Sequence, residues 1–240
     1  MSGAKGKCKL CGCHGKLVKC SHVIPLWMYS LLPNDGKNFK IISPLKSEYE
    51  IRSQSGEYAS FVCQLCEDRF KLWDDYAAKV LRNKPQITTS GIDFGSYDYS
   101  KLKRFYLSVL WRMSAYGRPL LSIDLGNVGE SLGSALLDDE NSNLSRYEVI
   151  PSCSDHILSL GVLEPRIYEI DGIPYWKIYM PRFQALINVS GTAGSDRLMP
   201  WQMSAGTNLR MLDDRFECGE MDLAMHTFRT NMEQKNVRCH

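Results

Sequence analysis

Apolar residues recur at the spacing of an amphipathic helix in two long stretches of the chain. The first runs from Glu67 to about Arg82, with acids in its first turn and basic residues in its last, as the helix dipole favours. The second begins near Leu102 and stops before Gly117. Its apolar stripe consists of Leu102, Phe105, Tyr106, Val109, Leu110 and Met113. Shorter helices are predicted over residues 25–32, 126–138 and 222–233.

Strand-like alternation is found in two other regions. Near the N-terminus, residues 16–20 are expected to form one strand of a hairpin. Much later, residues 166–170 and 173–179 flank Asp171-Gly172, a pair typical of a tight hairpin turn. Pro174 lacks a backbone N–H, which predicts that the returning strand lies at a sheet edge. A further strand and a loop are predicted over residues 183–189 and 191–206.

Two groups of side chains on these elements have more than one interpretation. The hairpin carries four aromatic residues, which are Tyr168, Tyr175, Trp176 and Tyr179. Aromatic residues at strand spacing usually fill a core, and base stacking is the alternative. Three arginines belong to the second helical region, namely Arg104, Arg112 and Arg118. The expected role of these arginines is surface charge on an amphipathic helix.

These patterns predict an α+β protein in two parts. Residues 1–83 are expected to form a small N-terminal module, stapled by zinc for the reasons given below. Residues 84–99, with their Gly, Ser and Thr, are expected to form a linker. Residues 100–240 form a larger domain of helices and an antiparallel hairpin, through which a protein partner or a second copy could bind.

Composition describes an ordinary globular protein. Of the 240 residues, 44% are hydrophobic and 23% are charged, so that a sizeable core is expected and disorder is not. No apolar run approaches the length of a membrane span, and none follows the basic N-terminus as it would in a secretory signal. We therefore expect a cytoplasmic protein whose cysteines are reduced.

Positive charge is concentrated near the N-terminus, although the net charge is only +2. Residues 1–40 contain a single acid, Asp35, and seven lysines. The lysines are Lys5, Lys7, Lys9, Lys16, Lys19, Lys37 and Lys40. Such an excess is typical of phosphate binding, and it makes Lys16 and Lys19 candidate nucleic-acid-binding residues. A lysine-rich arm that only keeps the module soluble is the alternative.

Two cysteine pairs of the form CxxC predict a metal site. They are Cys8–Cys11 and Cys63–Cys66, and together they supply the four thiolates of a tetrahedral zinc site. Four unrelated, buried cysteines are the alternative. Three more residues, which could replace a ligand or bind a second ion, lie near the first pair: Cys13, His14 and Cys20.

A histidine lies between the two cysteine pairs, in the segment Ser21-His22-Val23-Ile24-Pro25. Hydrolysis of a phosphodiester needs a base that accepts a proton from water near neutral pH, and imidazole has a suitable intrinsic pKa. The reaction also needs a divalent cation to offset charge on the phosphate. His22 is therefore a candidate general base.

At this point the chain resembles the HNH endonucleases, the His-Me finger or ββα-metal group. In many of them a CxxC pair precedes a Ser-His or Asp-His motif followed by Ile or Val and Pro, and a second CxxC pair opens the last helix. The resemblance covers residues 7–82, about a third of the chain. It implies a treble-clef-like zinc scaffold with His22 as the general base acting on DNA.

The departures from the family pattern concern the catalytic metal. Ser21 stands where the family often has a metal-binding Asp, and Glu67 stands where it has His or Asn after the second cysteine pair. A glutamate can hold Mg²⁺ or Mn²⁺, so Glu67 is the candidate catalytic ligand and Asp68 a weaker one. No clear middle Asn precedes Cys63, and Asn38 is a distant candidate.

Two functions from different classes are consistent with these residues. The first is a metal-dependent endonuclease acting on DNA, in phage defence, counter-defence or restriction, where domains of this kind are common. The second is a catalytically inactive zinc module that binds nucleic acid or a protein partner. A third interpretation makes the C-terminal part the active one, with Asp155-His156 as its only evident acid–base pair.

Overall fold

The computed structural model describes ten stretches of the chain. They are residues 4–32, 39–42, 50–53, 56–88, 91–117, 121, 123–139, 142–153, 162–163 and 165–213. Within them the protein is mixed α/β, with four α-helices, a seven-stranded sheet and three small sheets. The helix predicted at 222–233 lies outside the described residues.

The elements of the N-terminal part are, in chain order, β1 (Lys5–Lys7), β2 (His14–Lys16), β3 (Ser21–His22), α1 (Leu26–Tyr29), β4 (Phe39–Ile42), β5 (Glu50–Ser53), β6 (Tyr58–Ala59) and α2 (Gln64–Leu81). The strands β1 and β2 form a hairpin, and β3 pairs with β6 directly before α2 begins. The strand predicted at 16–20 is thus displaced: β2 ends at Lys16, and β3 begins at Ser21. The helix predicted at 25–32 is only one turn long.

The remaining elements are β7 (Gln86–Thr88), β8 (Gly91–Ser96), α3 (Tyr99–Tyr116), α4 (Asn127–Leu137), β9 (Glu148–Cys153), β10 (Val162–Leu163), β11 (Arg166–Ile170), β12 (Ile173–Tyr179), β13 (Phe183–Asn188) and β14 (Asn208–Asp213). The large sheet has the order β11-β12-β13-β9-β14-β8-β7. All its neighbours are antiparallel except β9 and β14. The predicted helix at 126–138 corresponds to α4.

The predicted hairpin is present as β11 and β12. Asp171 and Gly172 both have positive φ, at 53° and 77°, as a type I′ turn requires. The edge position predicted for the returning strand is wrong, because β12 lies between β11 and β13. Pro174 is tolerated there because the pairing with β13 begins only at Trp176, so no hydrogen bond to that strand needs its missing N–H.

The segment 84–99, expected to be a linker, forms part of the large sheet. The strands β7 and β8 make a hairpin at one edge, and β8 pairs with β14. Gly91 is one of the residues that made this segment resemble a linker. Its φ is +121°, and a Cβ there would lie 2.7 Å from the carbonyl oxygen of Met211. Glycine in this strand permits close backbone approach rather than flexibility.

The two long helices pack on each other at the centre of the molecule. The helix α2 buries Phe70, Trp73, Ala77 and Val80, the face that its periodicity predicts. The helix α3 is capped by the Asp98 side chain, which accepts from the Lys101 N–H at 3.1 Å, and it ends at Gly117, where φ is +67°.

The helix α3 is buried on more sides than an amphipathic surface helix would be. Every residue from Leu102 to Met113 is buried, because α2, α4 and the sheet all contact this helix. The interpretation of Arg104 and Arg112 as surface charges is therefore wrong: they are 7% and 1% exposed. Arg118 lies outside the described residues.

One hydrophobic core extends through the N-terminal part and the large sheet. It includes Cys8 and Val23 from the first 83 residues, Phe105 from α3, and Val149 and Ile187 from the sheet. The proposed division at residue 83 therefore runs through a continuous set of apolar contacts. Among the described residues, no helix combines the length and the hydrophobicity needed to cross a bilayer.

Candidate metal centre and the His22 cluster

The four predicted zinc cysteines lie together. Their sulfur atoms are all within 4.8 Å of one another, and the Cys8–Cys66 and Cys11–Cys63 distances are both 3.7 Å. A disulfide would need about 2.05 Å. Tetrahedral zinc with Zn–S bonds of about 2.3 Å separates its sulfurs by roughly 3.8 Å. The cysteines thus form a tetrad, a set of donors suited to Zn²⁺, and the alternative of four unrelated buried thiols is wrong.

Backbone contacts between distant segments assemble this tetrad. Cys8 and Cys11 lie on the turn between β1 and β2, where Gly12 adopts a φ of 74° and donates to the Cys8 carbonyl at 2.9 Å. Cys63 is the N-cap residue of α2, so that Cys66 falls in the first helical turn. Two backbone hydrogen bonds join the segments, from Lys9 to Phe61 at 2.8 Å and from Val18 to Val62 at 2.9 Å.

The thiols differ in how readily they lose a proton. Burial alone would raise the pKa of Cys8, but backbone hydrogen bonds, led by those from Cys11 and Cys63, lower it to about 7. Burial raises the pKa of Cys63 and, more strongly, of Cys66, whose neighbouring thiols add to the effect. A cation held by all four sulfurs would offset this cost, because zinc binds cysteine as thiolate.

The other residues near the first cysteine pair do not belong to the tetrad. Cys13, His14 and Cys20 are exposed. Within the part of the chain that the structure describes, the tetrad is the one group of three or more potential metal ligands of the Cys, His, Asp and Glu types. A second ion bound by these three residues is therefore not supported.

His22 is half-buried on β3, directly opposite Tyr58 of β6. The centroids of the two rings are 5.7 Å apart and their planes are inclined at 57°. The preceding residue, Ser21, is fully buried, and its hydroxyl donates to Oε2 of Glu67 at 2.6 Å. The strand that carries His22 is therefore joined by a side-chain hydrogen bond to the first turn of α2.

Glu67 is half-buried at the start of α2, next to Cys66 of the tetrad. Burial raises the pKa of its carboxyl, and the Ser21 hydroxyl and the Arg112 guanidinium partly oppose that rise. Asp68, the weaker candidate, is exposed and accepts from Gln64 at 2.8 Å. Of these two acids, Glu67 is the one held beside β3.

A buried ion pair next to His22 was not foreseen from the sequence. Arg112 of α3 donates to both carboxylate oxygens of Asp74 on α2, at 3.0 and 2.8 Å, and to the His22 carbonyl oxygen at 3.1 Å. Burial raises the pKa of Asp74, whereas the guanidinium and, more weakly, His22 lower it. We call His22, Glu67, Asp74 and Arg112 the His22 cluster. The helical period of α2 places Glu67 and Asp74, seven residues apart, on one face, which is the only sequence signal for Asp74.

The expected Mg²⁺ or Mn²⁺ ion lacks a protein-built site among the described residues. No group of three potential ligands includes His22 or Glu67. Three further candidates, Asn38, Asp155 and His156, lie outside the described residues. The cluster thus offers one carboxylate, Glu67, that is not already in an ion pair, and no chemical step is assigned to a cation here.

The aromatic hairpin has a structural role. Tyr175 is fully buried, and its hydroxyl donates to Glu148 at 2.7 Å. The hydroxyls of Tyr168 and Tyr179 are 3.0 Å apart, and Trp176 packs against the core. These contacts favour core packing over base stacking.

Comparisons of the chain with protein-family models, with curated proteins and with solved structures find no match. The HNH resemblance therefore depends on the motif residues alone, and membership of that family remains a hypothesis.

The tetrad predicts one tightly bound zinc ion per chain. Cys63→Ser should remove it and destabilise the N-terminal part, because structural zinc contributes about 10–16 kcal/mol to the folding of small zinc modules. Cys20→Ser, which changes an exposed cysteine outside the tetrad, is the matched control and should keep zinc and stability. Elemental analysis and thermal unfolding measure the two effects. Folded wild-type protein without zinc would contradict the assignment.

Proposed function

We propose that this protein is a zinc-stapled phosphodiester hydrolase acting on DNA, with His22 as the general base and Glu67 as the second catalytic residue. The observation that carries the proposal is the 2.6 Å hydrogen bond from Ser21 to Glu67. It holds an acidic side chain next to the strand that presents His22. Hydrolysis of this kind uses a base and a nearby carboxylate on a rigid support.

The two residues have distinct tasks. His22, half-buried at a strand that faces Tyr58, accepts the proton of the attacking water. Glu67, in the first turn of α2, supplies the carboxylate. Mg²⁺ is commonly bound through one or two carboxylates together with substrate phosphates, so the assays below include Mg²⁺ and Mn²⁺.

The charge of the N-terminal hairpin favours nucleic acid as the substrate. We call β1, β2 and the following Lys19 the basic hairpin. Lys5 lies directly opposite Lys16, and both are exposed, as is Lys7 on the same strand as Lys5. Like charges directly opposite each other are destabilising unless a counter-charge binds. No acid occurs between residues 4 and 32 to supply that charge from the same segment. A phosphate backbone would supply it.

A second candidate function is binding of nucleic acid without cleavage. It is favoured by the internal contacts of the two acids: Glu67 accepts from Ser21, and Asp74 is paired with Arg112. Under this interpretation the His22 cluster only stabilises the module. Restriction, defence and counter-defence are settings for either function.

Cleavage of double-stranded DNA separates the two candidates. If His22 is the base, His22→Ala should lower the cleavage rate roughly 10²- to 10⁴-fold in Mg²⁺ or Mn²⁺. Zinc content should not change, because His22 is not a zinc ligand. Glu67→Gln should also lower the rate while keeping an amide oxygen for the Ser21 hydroxyl.

The control for this experiment is His14→Ala, which changes an exposed histidine on β2. At saturating DNA it should cleave with the wild-type kcat, because His14 lies on β2 and is not part of the His22 cluster. Cleavage that survives in His22→Ala would place the active site elsewhere. A wild type that binds DNA but does not cleave it, whichever divalent metal is supplied, would support the second candidate.

The basic hairpin predicts binding that weakens steeply with salt. Each phosphate contact contributes about 0.9 to the slope of log affinity against log salt. Lys16→Glu with Lys19→Glu should therefore reduce the slope by about 2 if both lysines contact phosphates. Lys79→Glu, on the exposed side of α2, is the control. Fluorescence anisotropy with labelled duplex DNA gives the slopes, and a double variant with an unchanged slope would exclude the hairpin from the interface.

A further inference from the structure

The Arg112 side chain uses all of its hydrogen-bonding capacity inside the protein. A guanidinium has five N–H donors. Nε donates to the Ser108 carbonyl at 3.3 Å, and Nη2 donates to the Ser108 hydroxyl at 3.2 Å and to Asp74 at 2.8 Å. Nη1 donates to Asp74 at 3.0 Å and to the His22 carbonyl at 3.1 Å. The central carbon of the guanidinium, Cζ, also lies 5.0 Å from the centroid of the Phe70 ring.

These contacts join three elements at one point. Asp74 and Phe70 belong to α2, Ser108 to α3, and His22 to β3. The side chain of Arg112 is 2% exposed and that of Asp74 is 16% exposed. A buried ion pair of this kind is weak evidence for added stability, since apolar residues of similar volume often serve as well. The contact with the backbone of His22 gives the pair a more specific role.

Groups from three neighbouring elements lie around Ser21 and His22 of β3. The acids Glu67 and Asp74 come from α2, the guanidinium of Arg112 from α3, and the phenol of Tyr58 from β6. The charge of Arg112 lowers the pKa of both Glu67 and Asp74, and His22 lowers the pKa of Asp74. Asp74 is thus the acid that interacts electrostatically with His22, and the Arg112 guanidinium offsets its charge.

We propose that Arg112 and Asp74 are positioning residues for His22, which hold its backbone by the carbonyl contact and balance the charge around its ring. The proposal rests on the proposed role of His22 as the general base. It assigns to α3, which lies outside residues 7–82, a part in the site. The HNH resemblance does not cover this helix, so the active unit extends beyond the zinc module.

Two matched variants test the charge balance in opposite directions. Arg112→Gln removes the cation and leaves the Asp74 carboxylate unpaired, which favours protonated His22. Asp74→Asn removes the anion and leaves the guanidinium, which disfavours it. The His22 pKa, followed by NMR of the imidazole, should rise by about one pH unit in the first variant and fall by about one in the second.

Controls use charged residues of α2 that are not in the cluster. Asp75 is exposed and paired with Lys71, and Arg69 is paired with Asp139. Asp75→Asn and Arg69→Gln should leave the His22 titration at its wild-type position. The double variant Arg112→Gln with Asp74→Asn should bring the titration back toward wild type, because both charges are then absent.

Arg112→Lys separates charge from geometry. It keeps the positive charge but loses the planar fork that contacts Asp74 and the His22 carbonyl together. The His22 titration should stay near wild type, while kcat for DNA cleavage falls and KM changes little. If Arg112→Gln does not fold, Asp74→Asn and Arg112→Lys still decide the question.

Folded, zinc-loaded Asp74→Asn and Arg112→Gln variants in which His22 titrates as in wild type would overturn the proposal. Opposite shifts in a protein that cleaves no DNA would support the coupling of the pair to His22 and contradict only the proposed hydrolysis. Cleavage with a wild-type kcat in Arg112→Lys would overturn the geometric part of the proposal.

Discussion

The convergence of four cysteine sulfurs is the constraint on which the rest of the site depends. Cys11 and Cys63 are 52 residues apart in sequence, yet their sulfurs lie 3.7 Å from each other. One ion held by both pairs would tie the turn after β1 to the N-terminus of α2. That end of the helix carries Glu67, so the tetrad also determines where this carboxylate meets Ser21 on β3, the strand that carries His22.

The ion pair of Arg112 and Asp74 extends this constraint into the rest of the molecule. It joins α3 to α2 and to the backbone of His22, in a core that continues into the seven-stranded sheet. Loss of either charge would leave the other buried and unpaired, which typically costs about 3–5 kcal/mol. The N-terminal part and α3 are therefore best regarded as one structural unit around the site.

The sequence was sufficient where a local pattern has one physical meaning. The CxxC pairs predicted the tetrad, the apolar stripe predicted α2, and Asp171-Gly172 predicted the hairpin turn. It was insufficient where tertiary packing decides the outcome. Arg112 has the periodicity of a surface position, but α3 is covered on all sides, and only the fold supplies Asp74 as its partner. The linker prediction failed at Gly91, because composition cannot distinguish a glycine that gives flexibility from one that permits close backbone approach.

Hydrogen exchange before and after zinc removal tests the central claim, that the metal staple holds Glu67 against β3, the strand that carries His22. The informative amides are Val23, which donates to Glu57 at 3.0 Å, and Glu67, which donates to Cys63 at 3.0 Å. We expect both to lose protection when a chelator removes zinc, while the amides that pair β12 with β13 remain protected. Val23 and Glu67 amides that keep full protection in protein shown to be zinc-free would contradict the account.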